Sequence, residues 1–429
     1  MASRYASPLA EALAGDVLDR FLRYVRIDTQ SAFESTSVPS TEKQLDLSRL
    51  LVRELDEIGL DDVELTEHGI VLALLPGLPD APVVGLLAHV DTSPDAPGGG
   101  VRPIVHEHWS GTPIVLPGDP AQVLDPVDVP QLATRVGHDI VTSDGTTLLG
   151  ADDKAGVAEI MAAIAYLARS PEPAHAPVRI AFTVDEEVGR GTDHLDLETF
   201  GASFAYTLDG SGVAELEIET FSASEVKLTI QGVAVHPGTA KGQLVNAIKL
   251  AADLVASLPR EELSPETTED REGFIHPTRI DGNAGEATVR FIVRDHDDDR
   301  LEQHIGLLRG LADAMVEEEP RARVSFEVVE QYRNMRKVLD QHPDVVRAAE
   351  EAIRRAGLDP VYTIIRGGTD GARLSERGLP TPNIFTGGQS YHSLREWASV
   401  QDMCAAAATI VELARLLAED SRRESSAKP

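Results

Sequence analysis

The chain has 429 residues, more than one ordinary core holds, so two domains are expected. Its hydrophobic fraction of 42%, with modest glycine and proline, describes a soluble globular protein. A formal net charge of −32 argues against nucleic acid and anionic membranes as partners, and is compatible with cationic groups or metal ions being drawn in. One cysteine, Cys404, excludes an intrachain disulfide; it lies in an apolar helical run and reads as a core residue. The N-terminus has no apolar segment before a cleavage site, and no run of roughly 18 apolar residues occurs, so a cytoplasmic location is expected.

Leu9, Leu13, Val17, Phe21 and Val25 repeat with a period near four and predict a helix over 8–28. A second helix starts at Thr41 and stops near Gly59. Short strands are expected over 62–66 and 69–75. VVGLLAHV, 83–90, is almost continuously apolar, as a strand buried on both faces should be. The stretch 94–146 is rich in Pro, Gly and Asp and reads as an irregular excursion with an edge hairpin. A helix over 155–169 is followed by two more apolar runs that end in acid, 178–184 and 202–208. Strands alternating with helices imply an α/β domain, a largely parallel mixed sheet flanked by helices.

Near 221 the pattern changes to alternating strands: EVKLTIQGVAVHPG, EATVRFIVRD and RVSFEVVEQY, with helices near 243–258 and 298–318. Alternation marks a sheet with one face open or wet. This places an inserted α+β domain at 221–332, and the first domain at 1–220 and 333–429. From 342 the α/β style returns, with strands at 361–365 and 383–386 and a closing helix from 399. The charged tail after 420 is expected to be disordered.

GADDKAG, 150–156, is the stretch the rest is organised around. Asp152 sits at a junction opening a helix, where α/β proteins place their chemistry. Acidic residues are common helix caps, and a lone Glu-Glu pair is ordinarily a solvated turn. The company they keep decides: His89 and Asp91 in AHVDT, Glu186 and Glu187 in VDEEVG, Asp209 in LDG, and His392 in SYHSLRE all end or follow apolar β-like runs. Two imidazoles and several carboxylates at strand ends are the inventory of a hydrolytic site with two metal ions.

HVDTSPD, LLGADDKAG, DEEVGRG, the Asp-Gly at 209, VHPGTAKG, IRGGTDGARLSERGLPTPNIFTGG and the closing His-x-x-x-Glu together resemble the peptidase T family of tripeptide aminopeptidases. That family lies in the two-zinc exopeptidase and deacylase group with carboxypeptidase G and succinyl-diaminopimelate desuccinylase, and the likeness runs from the first helix to the last. It implies hydroxide attack from a two-zinc centre, with Co2+ or Mn2+ as substitutes, on the N-terminal peptide bond of tripeptides. Asp152 then resembles the carboxylate bridging both ions; His89 and Asp209 would complete one, and Glu187 and His392 the other. Asp91 would hold the second nitrogen of His89, Glu186 would be the general base, and His236 would donate to the scissile carbonyl oxygen. Asp153 reads as structural.

Arg366 and Arg294 resemble residues that would clamp the substrate's C-terminal carboxylate, with Asn246 and Thr369 as further cleft residues. For Arg294 an ordinary strand-end salt bridge is the competing reading. The other histidines, among them His106, His138, His175 and His296, lack a partner pattern and are expected at the surface. One departure stands out: the family usually has a second histidine before the closing glutamate, where this chain reads His392-Ser393-Leu394-Arg395-Glu396. The likeness also implies that the inserted domain serves as a lid, or pairs two copies as a homodimer. Sibling chemistries on the same metal site (dipeptidase, carboxypeptidase, N-acyl amino acid deacylase) are the nearest rivals. A non-catalytic metal-dependent peptide binder is the rival of another class; it would have no need of Glu186.

Overall fold

The computed structural model describes residues 4–170 and 172–427. The chain divides into two compact units, one of Met1–Ile218, Val338–Thr363 and Thr369–Pro429, the other of Glu219–Lys337 with Ile364–Gly368. The short segment Ile364–Gly368, which carries Arg366, is one that the sequence reading left with the first domain.

The first unit is built on an eight-stranded mixed sheet, in the order Asp61–Leu65, Val71–Leu75, Val178–Thr183, Val84–His89, Phe204–Gly210, Asn383–Phe385, Glu215–Thr220, Val361–Ile365. The last residues of the two final strands lead into the second unit. Val84–His89 pairs in parallel with both Val178–Thr183 and Phe204–Gly210, and the latter in parallel with Asn383–Phe385. These four central strands therefore end at one edge. All six residues of Val84–His89 are buried, which is why its sequence shows no alternation.

The helix Ala151–Arg169 packs on the central strands and is itself covered by Pro8–Tyr24 and the closing helix from Val400. Small residues make that approach close: a side chain on Gly156 would place its Cβ 2.0 Å from the Leu208 carbonyl oxygen. Asp152 and Asp153 have non-helical backbone angles (ψ 106° and 36°), so the regular helix begins after them, near the expected 155. Core side chains such as Ile160 and Phe182 are 0% exposed, and truncating one to alanine costs about 2–5 kcal/mol.

The excursion at 94–146 has more order than its composition suggests. It supplies Ile104–His106 and Ile140–Thr142 to a small sheet and pairs Ile114–Val115 with Val123–Leu124. Trp109, Leu116, Leu124, Leu132 and Trp397 form a satellite core beneath it.

The tail corrects an expectation. The closing helix runs Val400–Ala427, so 421–427 are helical; 428 and 429 lie outside the described residues. Arg423 sits 3.3 Å from Asp420, and Ser421 donates to the Asp80 carbonyl, which ties this charged end down.

The second unit is an antiparallel four-stranded sheet in the order Phe274–Gly282, Glu286–Asp295, Ser222–Gln231, Arg323–Tyr332. Val226, Leu228, Ile230, Val289, Phe291 and Val293 point to the face covered by Ala247–Ala256 and Asp298–Glu318. Alternation in the sequence thus marks a sheet helix-packed on one face.

Candidate metal centre

Apart from His392, each expected metal ligand stands where a buried strand stops or a helix opens. His89 ends Val84–His89; Glu186 and Glu187 form a short turn after Val178–Thr183; Asp209 lies at the end of Phe204–Gly210. His392 lies beyond Asn383–Phe385, in the loop after the short strand Gly388–Gln389, and Asp152 opens Ala151–Arg169. Parallel strands deliver all their carboxyl ends to one edge, so residues remote in sequence converge there.

The two imidazoles organise the cluster. His89 Nε2 lies 3.0 Å from Asp152 Oδ1 and 3.7 Å from Asp209 Oδ1. His392 Nε2 lies 3.2 Å from Asp152 Oδ2 and 2.9 Å from Glu187 Oε2. Asp152 therefore presents one oxygen to each imidazole. Glu186 Oε2 stands 3.9 Å from His89 Nε2, just outside this inner ring.

Backbone bonds fix the positions of these acids. Asp91 accepts the amide hydrogens of Glu186 and Glu187 on its two oxygens, at 3.0 and 3.2 Å. His89 Nδ1 is 3.0 Å from the Asp91 carbonyl oxygen and 3.4 Å from its carboxylate. Asp153 uses both oxygens on backbone, accepting from His89 N and Gly156 N.

Two residues that the sequence reading did not single out do as much. The Glu396 carboxylate accepts from the amides of Leu149, Gly150 and Asp152, holding the acidic turn from a distant part of the chain. Asp185, 0% exposed and at φ 63°, accepts from Ser40 N and Gln44 Nε2 and anchors the Glu186–Glu187 turn. The signal for Glu396 is its place at the close of the His-x-x-x-Glu stretch. Asp185 also pairs with Arg190, five residues on, at 3.3 Å, but its Ser40 and Gln44 partners lie far away in sequence and leave no local signal.

Burial makes the protein's own charges costly here. Burial works against ionising Asp152, yet His392 and His89 hold it well below the ordinary aspartate range. Burial also opposes the charge on His392, but Asp152 and Glu187 outweigh it and push its pKa up to about 11. Glu187 is pushed up to about 8 by burial and by the Asp152 charge, and burial holds the Glu186 carboxyl well above its usual range.

Four carboxylates (Asp152, Glu186, Glu187, Asp209) thus face two imidazoles, so with all four ionised the set carries more negative charge than two protonated rings can balance. Glu187 Oε1 is buried with no hydrogen-bond partner. Donor atoms of His89, Asp152 and Glu187, and of His89, Asp153 and Asp209, lie within 4.8 Å of one another. Imidazole nitrogen with carboxylate oxygen suits zinc, manganese or cobalt, so the residues fit divalent cations.

The expected substrate residues are placed as follows. In the second unit His236 is exposed, its Nδ1 accepting from Gly238 N at 3.1 Å. Asn246 caps Ala247–Ala256 through its side-chain oxygen. Arg366 donates to the carbonyls of Thr268, Asp270 and Glu272 and lies 5.2 Å above the Phe221 ring. Arg294 donates to the Arg366 carbonyl, while its Nε is buried and unpartnered. In the first unit Thr369 Oγ1 caps Asp370–Glu376. Contrary to expectation, His175 and His296 are buried, at 6% and 7% exposure.

A profile described as Peptidase family M20/M25/M40 matches residues 142–416. The chain belongs to that family. Within it, the peptidase T of Geobacillus thermodenitrificans is 47% identical over 403 residues, covering 94% of this chain and 98% of the relative. Among solved M20-like folds, a tripeptidase from Staphylococcus aureus superposes with a TM-score of 0.75 at 23% identity, covering 95% of this chain and 99% of the other. A Bacillus subtilis protein described as a dinuclear metal binding peptidase from the M20 family has a TM-score of 0.63 at 15% identity, with 95% and 99% covered. M20 membership accounts for a mixed sheet with a separate smaller unit. No helix among the described residues is long and apolar enough to cross a membrane.

Proposed function

We propose that the chain is an aminopeptidase releasing the N-terminal residue of tripeptides at a centre of two zinc ions. The observation that carries this reading is Asp152, which offers one oxygen to His89 and the other to His392, with Asp209 beside the first imidazole and Glu187 beside the second. His89, Asp209 and Asp152 would hold one ion, and Glu187, His392 and Asp152 the other. Bound there, the ions would polarise the scissile carbonyl and lower the pKa of water. The peptidase T name of the Geobacillus relative supports the tripeptide substrate, and the Bacillus subtilis protein's description supports two metals.

Glu186 takes the proton from the attacking water and returns it to the leaving amine. A carboxyl raised by burial is suited to both halves of that exchange. His236 Nδ1 accepts the Gly238 amide hydrogen, which leaves the ring proton on Nε2. That nitrogen is then a donor, the form that stabilises developing charge on a carbonyl oxygen. Arg366 and Arg294 are assigned to the substrate carboxylate. Asn246 and Thr369 each spend an acceptor on a helix cap and keep a donor for the same task.

A cytoplasmic location and a homodimer belong to the same proposal. Val328 and Val329, on the edge strand Arg323–Tyr332, are 41% and 57% exposed, which favours pairing of two copies through the second unit. A panel of tri-, di- and N-acylated substrates tests the activity. Preferential release of the first residue of tripeptides is expected; preference for dipeptides or acyl amino acids would assign the centre to a sibling chemistry.

A further inference from the structure

The stretch His89-Val90-Asp91-Thr92-Ser93-Pro94-Asp95 contributes one imidazole and two aspartates, and only the first aspartate has a task so far. Asp91 stands behind His89. Asp95, four residues on, reaches the other imidazole: its Oδ2 lies 3.3 Å from His392 Nδ1. His392 Nε2 faces inward, toward Asp152 and Glu187, so Nδ1 is the nitrogen left to carry a proton when Nε2 acts as a ligand.

His392 needs such a partner more than His89 does. The His89 side chain is 2% exposed and packed; the His392 side chain is 40% exposed, on a loop where its own backbone adopts φ 58°. Packing alone leaves that ring free to turn. The loop carrying Asp95, in contrast, is tied down. Gln30 Nε2 donates to the carbonyls of Ser93 and Ala96, at 3.0 and 2.6 Å, and Asp95 N donates to Ser93 Oγ.

We infer that Asp95 is the positioning residue for His392, accepting its Nδ1–H so that Nε2 is held unprotonated and aimed at the cation shared with Glu187. The inference rests on the two-zinc reading above. A carboxylate behind a ligating imidazole fixes its tautomer and raises its basicity, and losing such a partner typically weakens metal binding roughly 10–100-fold. One short loop would thus back both imidazoles, through Asp91 on one side and Asp95 on the other.

The test is zinc titration of the chelator-stripped full chain against a competing chromophoric chelator, for the wild type, Asp95→Ala and Asp95→Asn. The wild type is expected to bind two ions. Asp95→Ala should weaken one of them roughly 10–100-fold and leave the other unchanged. Asp95→Asn, whose amide oxygen can still accept from Nδ1–H, should restore most of the loss. If the wild type binds two ions and Asp95→Ala binds both as tightly, the positioning role is overturned while the two-zinc reading survives. Equal weakening by Ala and Asn would overturn it too, because it would show a through-space charge effect rather than an oriented bond. If the wild type does not bind two ions, the two-zinc reading fails and the inference with it.

Discussion

Glu219 in the second unit and Glu187 in the first are both buried carboxylates, and they differ in what surrounds them. Glu219 is 3% exposed and takes hydrogen bonds from Arg271, Arg336 and Asn334. Burial opposes its ionisation, but the arginines win and its pKa falls below the ordinary range. Glu187 has one imidazole for company, an unpartnered oxygen and a pKa pushed up to about 8. The second unit neutralises its buried charge from within. The first leaves an acid cluster that must either hold protons or take up cations, and such an imbalance is costly unless it is used.

The strongest way to break this contrast is to remove the group that takes part in the reaction without holding a metal. Glu186→Ala is expected to lower turnover of a tripeptide by about 10²–10⁴-fold with zinc content unchanged. Retained turnover would remove the base role, and lost zinc would make Glu186 a ligand.

Arg366 sharpens the comparison from the other side, since it is tied to three carbonyls and is also assigned to the substrate carboxylate. Arg366→Ala should weaken use of a tripeptide by about 30-fold more than use of its C-terminally amidated analogue, the effect of losing roughly 2 kcal/mol of charge pairing. Equal losses on both would leave it a structural tie.

A smaller effect concerns Glu217, a buried carboxylate that accepts from Asn383 Nδ2; burial pushes its pKa up to about 8. Its folded pKa lies above the unfolded value near 4.3, so the native state binds the extra proton between those limits and stability falls as pH rises through them. Glu217→Gln is expected to lose less Tm than the wild type between pH 5 and pH 9. Parallel slopes would show that Glu217 ionises without penalty.

Much of this was legible in the sequence because parallel strands are short apolar runs that end in their functional residue. VVGLLAHV ending in His89 is the clearest case. Other parts were hidden for physical reasons. FIHPTRIDG carries Pro277 and reads as loop, yet it forms the edge strand Phe274–Gly282, with a register shift between Pro277 and Arg279. An edge strand tolerates proline where a central one does not. ELEIET does alternate and could have been read as the strand Glu215–Thr220. The cradle that Glu396 makes for the 149–152 turn was out of reach, because nothing local to either segment specifies which backbone amides a remote carboxylate will meet.

The central claim is that the first unit's charge imbalance is a cation-dependent peptidase centre. It is tested most directly by measuring release of the N-terminal residue from a simple tripeptide before chelation, after chelation and after zinc is restored. Release that disappears on stripping and returns with zinc is the predicted result. Release that continues unchanged in metal-free protein, or that never occurs in the zinc-loaded chain, would contradict the account.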